Sequence, residues 1–211
     1  MEDKLENANL IALFGTPVFS NIIDVSHLKD NFKKLEYVRN DAENGYITTD
    51  KDVLSLDDFS NLKTAIEENI EYYVREVLFV NADIDFYVTT SWVNKHAPGD
   101  KAQEHDHVNS LISGIVYLEC PVLSGDVIFH KDRMLQNLFP RSTQFDFTAL
   151  QPWNTEAWRF TPNAGDIVLF PSILTHSVMT NKSFSDRYSL AFNCYAKGEL
   201  GKNNPTSKVT I

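Results

Sequence analysis

From Ile84 onward the chain alternates short runs of apolar and β-branched residues with turn residues. The runs are Ile84–Val93, Leu111–Glu119, Asp126–His130, Gln144–Thr148, Ala157–Phe160, Asp166–Phe170, Thr175–Met179 and Arg187–Ala196. Eight runs of this kind predict antiparallel strands in a sandwich or barrel. Upstream the spacing changes: Phe59, Leu62, Ile66, Ile70, Tyr73 and Val77 recur every three or four residues, with Glu67, Glu68, Glu71 and Glu76 mostly on the other side. That is the period of an amphipathic helix laying one stripe on a sheet. Ser55 and Asp58 have capping-box spacing at its start. Leu13–Phe19 reads as a short strand broken by Gly15 and Pro17, and Ser26 as the cap of a short helix reaching Val38. Residues 39–52 are polar, with Asn44-Gly45 as a turn.

The predicted fold class is therefore mainly β with N-terminal helices, the helices backing one face of a jelly roll. A chain of 211 residues fits one domain. Within it, 1–83 reads as a helical and strand support region, 84–196 as the jelly-roll core and 197–211 as a C-terminal tail.

Charge narrows the partners. The formal net charge is -10, and residues 1–100 carry 19 Asp+Glu against 9 Lys+Arg. With no broad basic face, the chain is not built to bind nucleic acid through its phosphates. No apolar run approaches the ~20 residues of a membrane span, and Met1-Glu2-Asp3-Lys4 lacks the basic start of a signal peptide. Cys120 and Cys194 have no metal or redox spacing and read as free thiols in a reducing compartment. A cytoplasmic location is expected.

The candidate chemistry lies in the histidines. On an extended segment His105 and His107 point to one side and Asp106 to the other. An imidazole pair at that spacing can chelate one metal ion, and His176, at the start of another run, is a third candidate ligand. Three ligands leave positions open for substrate or oxygen. Gly99, five intervening residues and His105-x-His107 match one metal motif of the cupins. Gly165, five intervening residues, Pro171, four more and His176 match the other. Leu111 and Ile112 stand where cupins place a glutamate, and Ile173 replaces the second motif's internal glycine. His27 and His96 read as structural or exposed, and His130 ends a run without a paired partner.

On the run from Arg187 to Tyr195, alternation puts Tyr188, Leu190, Phe192 and Cys194 on a core face. Arg187, Ser189, Ala191, Asn193 and Tyr195 take the other face. A buried arginine must meet an anion. The guanidinium fork suits a bound carboxylate, while Asp126 or Asp166 would be the internal alternative.

The combination resembles the 2-oxoglutarate- and Fe(II)-dependent oxygenases, in which a distal metal histidine is followed by an Arg-x-Ser that binds the cosubstrate's far carboxylate. Here His176 is followed 11 residues later by Arg187-Tyr188-Ser189. More narrowly the chain is similar to a poorly characterised His-x-His subgroup, through Ser113-Gly114-Ile115-Val116-Tyr117-Leu118, Phe170-Pro171-Ser172, His176-Ser177-Val178 and Arg187 through Asn193. The resemblance covers residues 84–196. It implies a double-stranded β-helix, Fe(II) as metal, 2-oxoglutarate as small-molecule cosubstrate, and Tyr117 against that cosubstrate. It further implies an oxidation, most simply a hydroxylation, in which 2-oxoglutarate leaves as succinate and CO2. Most of the superfamily has a carboxylate where His107 stands. The triad is therefore His105, His107 and His176, or it uses Asp106 turned inward, or His107 with Asn109.

Two other functions fit the same residues. One is a cupin-type three-histidine dioxygenase that does not use 2-oxoglutarate. The other is a jelly-roll binding module without metal. Segment 131–160, with Arg133, Phe139, Arg141, Trp153, Trp158 and Arg159, is the region expected to meet the substrate.

Overall fold

The computed structural model describes residues 11–41, 44–132, 146–202 and 206–211. The strands in chain order begin with β1 (Phe19–Ile22), β2 (Tyr37–Asn40) and β3 (Gly45–Thr48), followed by helix α1 (Ser60–Tyr72). Next come β4 (Ile84–His96), β5 (Ala102–His105), β6 (Ile112–Glu119), β7 (Val127–His130) and β8 (Ala157–Phe160). The chain ends with β9 (Asp166–Pro171), β10 (His176–Val178), β11 (Arg187–Leu200) and β12 (Val209–Thr210). One sheet of eight strands runs β1-β9-β6-β11-β4-β3-β2, with β12 added on β11. A smaller sheet runs β5-β10-β7-β8. The antiparallel pairings and the crossing of consecutive strands between the two sheets give the expected double-stranded β-helix.

Both faces of the large sheet are covered, and alternation sorts its residues. Ile112, Val116 and Leu118 of β6, Ile167 and Leu169 of β9, and Leu190, Phe192 and Cys194 of β11 join Leu62, Ile66 and Ile70 of α1 in one core. The alternate residues Tyr117, Val168 and Phe170 meet Val127 and Phe129 of β7 in a second core between the sheets. The site faces this second core. Gly114 is on the helix side, where a Cβ would lie 2.1 Å from Phe192 Cζ. Only glycine lets that ring cross β6.

The helix runs into a π-type turn at Tyr73–Val77 and is tied to β4 by Arg75. That guanidinium donates to the carbonyls of Val80, Asn81 and Ile84 and to Glu71 Oε1. Phe59, Leu62, Ile66, Ile70 and Tyr73 are all buried, as their spacing predicts.

Several local expectations change. The first strand starts only at Phe19, because its pairing with β9 runs from Phe19 to Ile22. Between Ser26 and Val38 there is no α-helix but two 3₁₀ turns (Ser26–Leu28, Asn31–Lys34) and then β2. The Ser55/Asp58 capping box does not form: Ser55 Oγ donates to Asp52 O, and a 3₁₀ turn over Asp57–Phe59 leads into the helix without a side-chain cap. Within Gln144–Thr148, residues 146–148 are not a strand, and the first two lie outside the described residues. Arg133, Phe139 and Arg141 also lie outside them.

Candidate metal centre

Register brings the distant histidines together. His176 on β10 is the Cα partner of His105 on β5, and on its other side of Phe129 on β7. Directly opposed residues share a face of the sheet, so both imidazoles look toward the inter-sheet core. His107 sits past the end of β5, where its N–H donates to Ser172 O at 3.0 Å. The ring centroids are 4.4 Å apart for His105 and His176, 5.1 Å for His107 and His176, and 5.4 Å for His105 and His107. One ligand nitrogen from each lies within 4.8 Å of the others.

In each ring Nδ1 is already engaged. His105 Nδ1 donates to Gln103 O at 2.8 Å, and His176 Nδ1 to Leu174 O at 3.0 Å. His107 Nδ1 lies 2.8 Å from Asn193 Oδ1 and 2.7 Å from Ser113 Oγ. A carbonyl only accepts, so the proton sits on Nδ1 and the Nε2 lone pair is left for a ligand. This is the usual way a protein fixes the tautomer of a metal-binding histidine. Burial lowers the pKa of His107 and, helped by the neighbouring His105, takes that of His176 down to about 3. Neutral imidazoles are the form a metal requires. Asp106 is exposed and outside the cluster, and Asn109 is exposed. The donor set fits a borderline transition ion such as Fe(II).

Arg187 opens β11, in register with His96 of β4. It is 2% exposed. Its Nη1 donates to Gly125 O at 3.1 Å and its Nη2 to His96 Nδ1 at 3.0 Å, while Nε–H is buried without a partner among the described residues. Among the described residues no ion pair is formed by Arg187. Asp126 is taken by Arg159, and Asp166 accepts from the Asn163 N–H. Among the described residues the internal carboxylate alternative is thus not formed, and a buried cation faces the core with a donor to spare. The Tyr117 ring lies 5.8 Å from the guanidinium carbon, and Ser189, the register partner of Tyr117, is 2% exposed. These three residues could hold an anionic cosubstrate.

His130 is not part of the cluster; its Nε2 meets Ser177 Oγ at 2.8 Å on the opposite face of β10. His96 is buried, in keeping with a structural rather than an exposed histidine, and it touches Arg187. Nothing in its local sequence signals that, since the contact exists only through the β4–β11 register.

Fold and site define a class: a double-stranded β-helix with three converging imidazoles and a buried arginine that forms no ion pair among the described residues. Residues 90–193 match the family model described as a putative 2OG-Fe(II) oxygenase. The chain belongs to the 2-oxoglutarate- and Fe(II)-dependent oxygenases and is an enzyme of that class. Solved structures share the fold at low identity. HygX from Streptomyces hygroscopicus, with nickel, 2-oxoglutarate and hygromycin B bound, is 14% identical (TM-score 0.59; 85% of this chain, 83% of that one). SnoN, a non-heme alpha-ketoglutarate-dependent epimerase from nogalamycin biosynthesis, is 16% identical (TM-score 0.61; 87% and 79%). A Pseudomonas putida prolyl-4-hydroxylase is 16% identical (TM-score 0.56; 84% and 92%). No curated protein matches the sequence. No helix among the described residues is long and apolar enough to cross a membrane.

Proposed function

We propose that this oxygenase is a hydroxylase whose Fe(II) is held by His105, His107 and His176. Its 2-oxoglutarate is held by Arg187 and Ser189, with Tyr117 against it. One observation carries the reading: a guanidinium 2% exposed has no carboxylate partner among the described residues, on the strand whose Asn193 braces His107. A buried charge of this kind is stable only with an anion to meet it. Three neutral imidazoles leave the metal one charge more positive than two imidazoles and a carboxylate would, which strengthens the pull on an anionic cosubstrate.

When bound, iron and 2-oxoglutarate supply the oxidation: O2 is consumed, 2-oxoglutarate leaves as succinate and CO2, and one oxygen enters a substrate C–H bond. The chain's own residues position and enclose. Arg187 and Ser189 fix the far carboxylate, so the keto-acid end is directed toward the imidazoles. Phe170 and Phe129, with ring centroids 4.8 and 6.4 Å from His176, keep water from that side. Trp92 stands 6.2 Å from His107. Trp158 is the register partner of Phe129 and 49% exposed, which makes the β8 edge the natural approach for substrate. The whole chain acts as one domain. Its unpaired Cys120 and Cys194 fit the reducing cytoplasm.

The test is spectroscopic. Fe(II) and 2-oxoglutarate added without oxygen should give a visible charge-transfer band, and Arg187→Ala should abolish it at modest cosubstrate concentration. An unchanged band removes Arg187 from the role.

A further inference from the structure

We propose that His96 is a positioning residue for the cosubstrate: a neutral imidazole that takes the place a counter-carboxylate would otherwise occupy beside Arg187. The inference rests on the proposed role of Arg187. The Arg187 guanidinium has only donors, so the 3.0 Å contact between Nη2 and His96 Nδ1 requires a lone pair on Nδ1. The one proton of His96 is then on Nε2, which is buried and has no partner among the described residues. The structure accepts an orphaned N–H in order to present an acceptor to the guanidinium.

The surroundings hold that imidazole in place. His96 is 3% exposed and is the Cα partner of Arg187 across β4 and β11. Its carbonyl accepts from Asn181 Nδ2 at 2.8 Å. Gly45 of β3 lies against the ring, where a Cβ would stand 3.0 Å from Cδ2 and 3.2 Å from Nε2. With Gly125 O on Nη1, two neutral acceptors fix the plane of the guanidinium and neither cancels its charge. An Asp or Glu in place of His96 would fix the plane equally well. It would also neutralise the cation and compete with an incoming carboxylate. A neutral acceptor orients the fork and leaves the charge, and the unpartnered Nε–H, available for the far carboxylate of 2-oxoglutarate.

The experiment is calorimetric titration of 2-oxoglutarate into the full chain loaded with Mn(II), which avoids turnover. Wild type should bind and Arg187→Ala should not; failure of wild type to bind overturns both this inference and the cosubstrate role of Arg187. Given binding, His96→Leu removes the acceptor and should weaken it about tenfold to a hundredfold, the scale of a hydrogen bond to a charged group. His96→Asn keeps an oxygen near the Nδ1 position and should stay within about threefold of wild type. His96→Asp should bind more weakly than His96→Leu while melting no lower, because its carboxylate occupies the guanidinium. A purely structural histidine would not give that reversal between stability and binding. Should His96→Leu not fold, the comparison of His96→Asn with His96→Asp decides. Wild-type affinity in His96→Leu, or equal affinity in the Asn and Asp variants, overturns the inference.

Discussion

His107 Nδ1 lies 2.8 Å from Asn193 Oδ1, so a residue of the central strand β11 sets the tautomer of an imidazole that stands beyond the end of β5. Ser113 Oγ approaches the same nitrogen at 2.7 Å and is backed by Ser172 Oγ at 2.8 Å, which in turn reaches Ser110 Oγ at 2.7 Å. Asn193→Ala removes the acceptor that, in the proposed triad, aims Nε2 at the metal. Loss of such a partner typically costs about tenfold to a hundredfold in metal affinity. Competitive titration with a chromogenic chelator measures this. An unchanged metal affinity would mean that Ser113 alone holds the ring.

Asp106 offers a sharper discrimination. It is exposed while His105 and His107, on either side, turn toward His176. Asp106→Asn should therefore leave metal stoichiometry intact, and His107→Ala should reduce it. The opposite outcome, measured by elemental analysis after purification without chelator, would restore the two-histidine, one-carboxylate triad.

Acid should destabilise the protein through His96. Burial first, then the positive charges of Arg187 and Arg39, push its pKa down to about 3 from the ordinary 6.5. Between those values the unfolded chain binds a proton that the folded chain refuses. Stability therefore rises with pH through this window, levels off above 6.5, and is lost as pH falls toward 3. The slope is about 1.4 kcal/mol per pH unit, so near pH 5 the group costs roughly 2 kcal/mol. Urea unfolding at pH 7.5 and pH 5 should show His96→Asn losing about 2 kcal/mol less than wild type over that interval. Equal losses in the two proteins would mean that His96 ionises normally in the fold.

What the chain reveals before folding follows from how local each signal is. The strands buried on both faces, β6, β9 and β11, stand out as apolar runs, and their alternation already separates Arg187, Ser189 and Asn193 from Tyr188, Leu190 and Phe192. β5 does not stand out, because Ala102-Gln103-Glu104-His105 is a polar edge strand. β2 and β3 are equally short, with β2 at an edge of the other sheet and β3 next to it. The helix starts later than its polar residues suggest because Ser55 spends its hydroxyl on Asp52 O. The three histidines and the arginine are legible as residue types at telling spacings. The contacts that tune them, Asn193 to His107 and His96 to Arg187, span 86 and 91 residues and exist only once the register is set.

The crossing of Phe192 over Gly114 tests whether that register depends on packing across β6. Gly114 and Phe192 are Cα partners on adjacent strands, and a Cβ on Gly114 would fall 2.1, 2.5 and 2.7 Å from three atoms of the Phe192 ring. Phe192 is fully buried and cannot swing into solvent. Gly114→Ala forces the ring or the strand to shift, and overpacking of this kind costs typically about 1–3 kcal/mol. The shift is transmitted: Asn193, next on β11, and Ser113, next on β6, are the two residues that hold His107 Nδ1. Gly114→Ala should therefore lower both the urea midpoint and the metal affinity. Adding Phe192→Leu, which makes room for the methyl group, should recover part of each, a non-additive pair of the kind expected for residues in contact. Additive losses in the double variant would show that Gly114 serves the backbone of β6 and not the ring.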